Sequence, residues 1–319
     1  MSLAISVTTS SGIVLAADSR QSYRNPKGMV RIRSDTASKL FQLNKRIGCA
    51  ITGIAFLPSP GGLKNISAFV DEFKRVEEIE GLDVEEIVKK LHRFFESKYD
   101  WKAQLENLKK LIKQDLENKG FQLTTDFEEK KEFLRFKFTD KTGKEQQGIG
   151  EIDRIDIMVA GSNRDGSYQV FILNIPGEIS KKRDSGEKGK EFGSDWIGQI
   201  DVTQRVVLGW DGRIFALPFV QEAVKKLGEE EVEKQLRRLE YQINWGTMTL
   251  QDAIDFCNLT IRTTEAIQSF SDGIAMDPGD IPGVGGEIDI AVIVRDKGFV
   301  WIKRKGLILN GKEVNLDNF

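Results

Sequence analysis

The sequence predicts an α+β protein, and three observations carry that reading. Apolar strand-like runs gather at both ends of the chain and again near residues 155–175. Helical spacing is confined to the blocks between them, and the two patterns do not alternate as single βαβ units. Such segregation predicts sheets with helices layered outside, an α+β or α/β/α sandwich. With 39% hydrophobic residues the chain has enough for a core, and 30% charged residues point to long solvated helices or inserted segments.

Taken in order, residues 3–8 carry β-branched and apolar side chains, Ser10-Ser11-Gly12 supplies turn chemistry, and residues 13–17 form a continuous apolar run. That pattern predicts two strands joined by a tight turn, the second buried on both faces. Residues 39–43 and 47–51 flank Asn44-Lys45-Arg46 as a second hairpin that runs into Thr52-Gly53. Beyond Gly62 the apolar residues recur at three- and four-residue steps (Ile66, Phe69, Val70, Phe73, then Val84, Ile87, Leu91, Phe94 and Phe95), which predicts two helices. Residues 101–119 form a third, ended by Gly120, and 130–148 a charged hairpin around Asp140–Gly143.

Strands return at 155–160 and 168–173 around a turn at Arg164-Asp165-Gly166. Residues 180–191 are polar throughout, which predicts a mobile solvated loop. Helices are expected at 217–227, 229–241 and from 250 to about 269, and closing strands at 288–294 and 299–302.

Composition excludes several function classes. Lys and Arg number 47 against 49 Asp and Glu, a net charge of −2, which gives no global attraction for a phosphate backbone or an anionic lipid surface. Neither a nucleic-acid nor a membrane partner is expected. Two cysteines, Cys49 and Cys257, cannot build a disulfide framework or a four-thiolate zinc site, and they fit a reducing compartment. The single histidine, His92, falls in a helical run and is read as a half-exposed helix residue, which removes multi-histidine metal sites and Ser-His-Asp chemistry. No phosphate-binding glycine loop is present, so no metal and no cofactor is expected. No run approaches 18 apolar residues and no export signal stands at the start, so a cytoplasmic location is expected.

The informative signal lies at the beginning. Ser2 follows Met1, and a small second residue favours removal of the initiator methionine, which would leave Ser2 with a free α-amine. A terminal amine, with an ordinary pKa near 8, can activate a hydroxyl without histidine. A neighbouring lysine lowers that pKa by like-charge repulsion, a carboxylate balances the lysine, and a backbone N–H can stabilise an oxyanion. Asp18, Lys39 and Gly53 supply these types, each at a strand end or just past a turn. Thr8 or Thr9 as an alternative start leaves too few residues for a strand, turn and strand before Asp18. Arg20 is read as a structural ion-pair residue.

The blocks Gly12-Ile-Val-Leu-Ala-Ala-Asp-Ser-Arg20, Lys39-Leu-Phe-Gln-Leu43 and Ile47-Gly-Cys-Ala-Ile-Thr-Gly53 resemble the opening of proteasome β subunits and of the bacterial protease HslV. The block Gly285-Gly-Glu-Ile-Asp-Ile-Ala-Val-Ile293 is similar to the end of the same fold. The resemblance covers roughly 150 to 180 residues, mostly the two ends and the strands near 155–175. It implies a four-layer αββα sandwich of the N-terminal-nucleophile (Ntn) hydrolase kind spanning 1–319, with insertions at about 98–150, 180–192 and 197–247. It implies Ser2 as nucleophile and, through its amine, as base, with Lys39 tuning the amine, Asp18 partnering Lys39 and the Gly53 N–H as oxyanion donor. The activity implied is cleavage of peptide or amide bonds in a peptide or protein substrate. A homo-oligomer, such as a ring, and an ATPase unfoldase partner are implied with it.

The chain also departs from the family. Serine stands for the usual threonine, and Val284 precedes Gly285 where the family has an Asp-x-x-Ser pair. Ser194, in Phe-Gly-Ser-Asp, is the candidate serine to complete the site, and Ser271, Asp272 and Asp280 are alternatives for the missing pair. A catalytically silent scaffold of the same fold and a small-molecule amidase are the competing readings.

Overall fold

The structure, a computed structural model, describes residues 2–24, 29–274, 277–278, 281–309 and 312–314. Its class is mixed α+β, built on two five-stranded sheets. The first has the order Gly193–Gly198, Leu3–Thr9, Gly12–Ala17, Asp289–Val294, Gly298–Lys303. The second runs Ile179–Asp184, Tyr168–Ile175, Ile155–Ser162, Ile47–Gly53, Leu40–Gln42. Both are antiparallel throughout, and neither closes into a barrel.

Seven α-helices are described: α1 (Ile66–Val76), α2 (Val84–Lys98), α3 (Trp101–Lys119), α4 (Asp201–Leu208), α5 (Pro218–Leu227), α6 (Glu229–Leu236) and α7 (Leu250–Phe270). Local chemistry sets their ends. Asp100 caps α3 by accepting the Ala103 N–H at 3.1 Å, and Gly120 ends it in the left-handed conformation at φ 69°. Thr249 and Asp252 exchange hydrogen bonds as a capping box at the start of α7.

Burial obeys the two periodicities. Every residue of Leu3–Thr9 and Gly12–Ala17 is buried, as expected for strands covered on both faces. One apolar cluster joins the inner faces of α1 and α2 (Phe69, Phe73, Leu91, Phe95) to Ile51, Ile157 and Leu173 of the second sheet. A second lies between the sheets, where Ile13, Leu15 and Ala291 meet Ala50, Met158 and Val170. A third joins Leu3, Ile5 and Ile290 of the first sheet to Ala253, Cys257 and Ile261 of α7. No described helix is long and apolar enough to cross a membrane.

Two expectations are corrected. The polar run 180–191 is not a loop throughout: Ile179–Asp184 is an edge strand on Tyr168–Ile175. An edge strand needs no apolar alternation when ladder bonds and side-chain pairs satisfy it, and Arg183 makes a two-pronged bond to Asp195 at 2.7 and 3.0 Å. His92 is not half-exposed but 8% exposed on the inner face of α2. Its Nε2 donates to the carbonyls of Gly177 (3.1 Å) and Asn174 (3.3 Å), which makes burial tolerable.

The ribbons Gln21–Arg24 with Val30–Ser34, and Phe56–Ser59 with Gly62–Asn65, carry no sequence signal because they are short and largely exposed. They form one rim of the cleft beside Ser2.

Candidate active site

Asp18 comes directly after the buried strand Gly12–Ala17 and is itself 0% exposed. A carboxylate there is tolerable only if its lone pairs are filled, and four donors fill them. Oδ1 accepts the Lys39 ammonium at 2.7 Å and the Leu3 N–H at 3.0 Å. Oδ2 accepts the Gly285 N–H at 3.0 Å and the Arg20 N–H at 3.1 Å. Asp18 therefore ties together the first strand, the second hairpin and the Gly285-Gly286 loop.

Lys39 leads into Leu40–Gln42, and its carbonyl accepts the Ile51 N–H at 2.9 Å. Its ammonium is buried against Asp18. Burial pulls its pKa below the ordinary lysine range, Asp18 opposes that through charge and hydrogen bond, and the Lys305 and Arg20 cations add to the lowering. Lys305 belongs to a second buried pair: its N–H donates to Asp289 Oδ1 at 2.8 Å and its ammonium reaches the other carboxylate oxygen. Asp289 lies opposite Ala17, next to Asp18 in the sheet. Arg20 pairs with Asp35 at 2.7 Å, the structural role expected of it.

Ser2 is clamped through its peptide unit to Leu3. The carbonyl of Ser2 accepts the Gln199 N–H at 2.7 Å, and the Leu3 N–H is held by Asp18. Ser2 lies with Lys39, Thr52 and Gly53 around a recess of about 20 Å³, which adjoins an open cleft of about 1260 Å³ shared by Ser2 and Gly53. Gly53 ends its strand at φ 90°, and a Cβ there would lie 2.0 Å from the Arg154 carbonyl, so only glycine fits. Gly198, at φ 92°, approaches the Ser2 carbonyl as closely: a Cβ would come within 2.1 Å of it. The far wall of the cleft comes from the 101–151 excursion and the turn after it, through Glu132, Phe133, Glu151, Asp153 and Arg154. Tyr99, at the end of α2, anchors that wall by donating its hydroxyl to the Asp153 carbonyl.

Four of the five residues singled out in the sequence (Ser2, Asp18, Lys39 and Gly53) thus meet in one place. Ser194 does not join them. It lies opposite Val7, five residues along the first strand from Ser2, about 17 Å at the strand rise. Its buried hydroxyl has no hydrogen-bond partner among the described residues. Antiparallel register brings the end of that strand, Gly198-Gln199, to Ser2 instead. Of the alternatives, Ser271 donates its hydroxyl back to the Ile267 carbonyl at the end of α7, Asp272 is exposed just beyond it, and Asp280 lies outside the described residues.

Sequence reading missed Gln199, Gln268 and the Asp289–Lys305 pair. A glutamine carries no titratable signature, and only the fold brings residues 199 and 268 together. The thiols are remote from this chemistry: burial pushes Cys49 up to about 12, and raises Cys257 on α7 as well. No group of three or more His, Cys, Asp or Glu among the described residues could hold a metal ion.

Protein-family models and curated proteins both fail to return a match to this chain. Function is therefore read from the chemistry of the site itself.

Proposed function

We propose that the protein is an N-terminal-nucleophile hydrolase that cleaves peptide or amide bonds through Ser2, exposed as the first residue by removal of Met1. One observation carries this reading. The peptide unit joining Ser2 to Leu3 is held at both polar atoms, and the carboxylate holding its N–H also holds a buried lysine. That is the preorganisation a hydroxyl with its own amine as base requires. The three apolar clusters support the finer architectural reading, a four-layer αββα sandwich of the Ntn kind with α1–α2 and α7 as outer layers.

In the proposed reaction Ser2 Oγ attacks the substrate carbonyl carbon, its proton passes to the Ser2 α-amine, and the carbonyl π pair moves to oxygen. The Gly53 N–H donates to that oxyanion. Collapse breaks the C–N bond, the leaving amine takes the proton, and an acyl ester remains on Ser2. Water then attacks the ester with the same amine as base and releases the acid. The Lys39 cation beside the amine lowers its pKa from about 8, which keeps it an acceptor at neutral pH.

Cleft size favours peptides over small amides. An open cleft of about 1260 Å³ exceeds the roughly 300–1,000 Å³ of small-molecule pockets. Hydrolysis of unfolded protein and of peptide and acyl-amide panels, compared between the native chain and Ser2→Ala, tests the reading. Peptide cleavage abolished by Ser2→Ala and kept in part by Ser2→Thr is expected. Equal turnover by Ser2→Ala would overturn it, and absence of turnover by the native chain would leave the silent scaffold.

A further inference from the structure

Two glutamines are hydrogen-bonded to each other, and one of them lines the cleft with Ser2. Gln268, near the C-terminal end of α7, accepts the Gly283 N–H at 3.0 Å and the Val284 N–H at 2.9 Å on its Oε1. Two backbone donors fix which end of that amide is oxygen, so its Nε2 must face the other way. There it donates to Gln199 Oε1 at 3.0 Å. The second amide is thereby oriented in turn, with its oxygen toward α7 and its NH₂ on the opposite side. Gln199 lines the cleft beside Ser2, and its own backbone N–H is bonded to the Ser2 carbonyl.

We infer that Gln199 is a second oxyanion donor of the Ser2 site and that Gln268 is the positioning residue that holds it. This rests on the proposed role of Ser2. As Ser2 Oγ bonds to the substrate carbon and the π pair collects on oxygen, Gln199 Nε2–H donates a hydrogen bond to that oxygen without giving up its proton, alongside the Gly53 N–H. A neutral amide suits this role because it brings no charge to compete with the Lys39 ammonium for Asp18. Gln268 also sets the loop that begins at Gly283. The next residue but one, Gly285, donates to Asp18, so a single side chain keeps the donor and the ion pair in register.

The test is the second-order rate of Ser2 acylation by a β-lactone, read by intact mass, in the full-length protein. Gln199→Ala is expected to slow acylation about 10²-fold, the usual cost of one oxyanion donor, with noncovalent probe affinity unchanged. Gln268→Glu keeps the acceptor for Gly283 and Val284 but cannot donate to Gln199, so it should slow acylation about tenfold, on the order of half that effect on a logarithmic scale. In the Gln199→Ala background the Gln268→Glu change should have no further effect, a coupling that a merely structural role for Gln268 would not produce. Gln199→Asn, which retains an amide, covers the case in which the alanine variant fails to fold, and should recover part of the rate. A native chain labelled at Ser2 with Gln199→Ala reacting at the same rate overturns this inference and leaves the Ser2 reading standing. A native chain that is not labelled at Ser2 overturns both.

Discussion

The surroundings of Asp18 and the 101–151 segment use charge in opposite ways. Around Asp18 a fully buried carboxylate is saturated by one ammonium and three backbone N–H groups from separate parts of the chain. In the 101–151 segment the ions face water. Lys109 bridges Glu106 and Glu129, Lys119 pairs with Asp115 and Lys137 with Glu145, and α3 buries only Leu105 and Leu116 over 19 residues. Aromatic rings pack on its own small sheet, with Phe121 stacked on Phe138 at 5.5 Å. The contrast separates two tasks. The first region holds the Ser2–Leu3 peptide unit at both polar atoms, and the second shapes one wall of the cleft.

The largest effect expected on this comparison comes from Asp18→Ala. It strands the buried Lys39 ammonium, and removing one partner of a buried pair costs about 3–5 kcal/mol, measurable by urea denaturation. Loss of under 1 kcal/mol would mean that the two regions do not differ as described. Next comes Gly198→Ala, whose Cβ would press on the Ser2 carbonyl at a φ of 92°. A cost of about 1–3 kcal/mol is expected from the backbone conformation, together with loss of Ser2 reactivity.

A smaller effect is expected from acid. Asp140, at the tip of the 133–151 hairpin, is held down to about 2 by the Thr142 hydroxyl, with the Thr142 and Lys144 N–H groups and Gln146 assisting against burial. A depressed carboxyl pKa stabilises the turn above its unfolded value near 3.8, and that contribution is lost as pH falls through about 2. The protection factors of the Thr142 and Lys144 amides should therefore fall over that interval, and in Asp140→Asn should lose this pH dependence. The smallest effect is Lys109→Ala, expected to change stability by no more than about 1 kcal/mol because both of its partners are at the surface.

How much of this fold was legible in the sequence depends on which residues carry a periodic signal. The runs at 13–17, 47–51 and 155–160 were legible because burial writes itself into apolar spacing, and the helix 101–119 because good helix formers run up to a glycine that ends it. Asp18 was legible for the converse reason: a carboxylate straight after five apolar residues needs a purpose. The strand Ile179–Asp184 was not, since an edge strand can be wholly polar. Ser194 was misplaced because residue type alone says nothing of register, and the antiparallel pairing carries it to the far end of the first strand. Gln199 and Gln268 could be found only once α7 and that strand end were brought together.

The claim on which the others depend is that the mature chain begins at Ser2 and that its hydroxyl is the nucleophile. Intact-mass analysis of the native protein, before and after treatment with a serine-directed fluorophosphonate, tests it most directly. The account predicts a mass lacking Met1 and a single adduct that maps to Ser2. Retention of Met1, or a chain that starts at Ser2 and takes no adduct there, would contradict it.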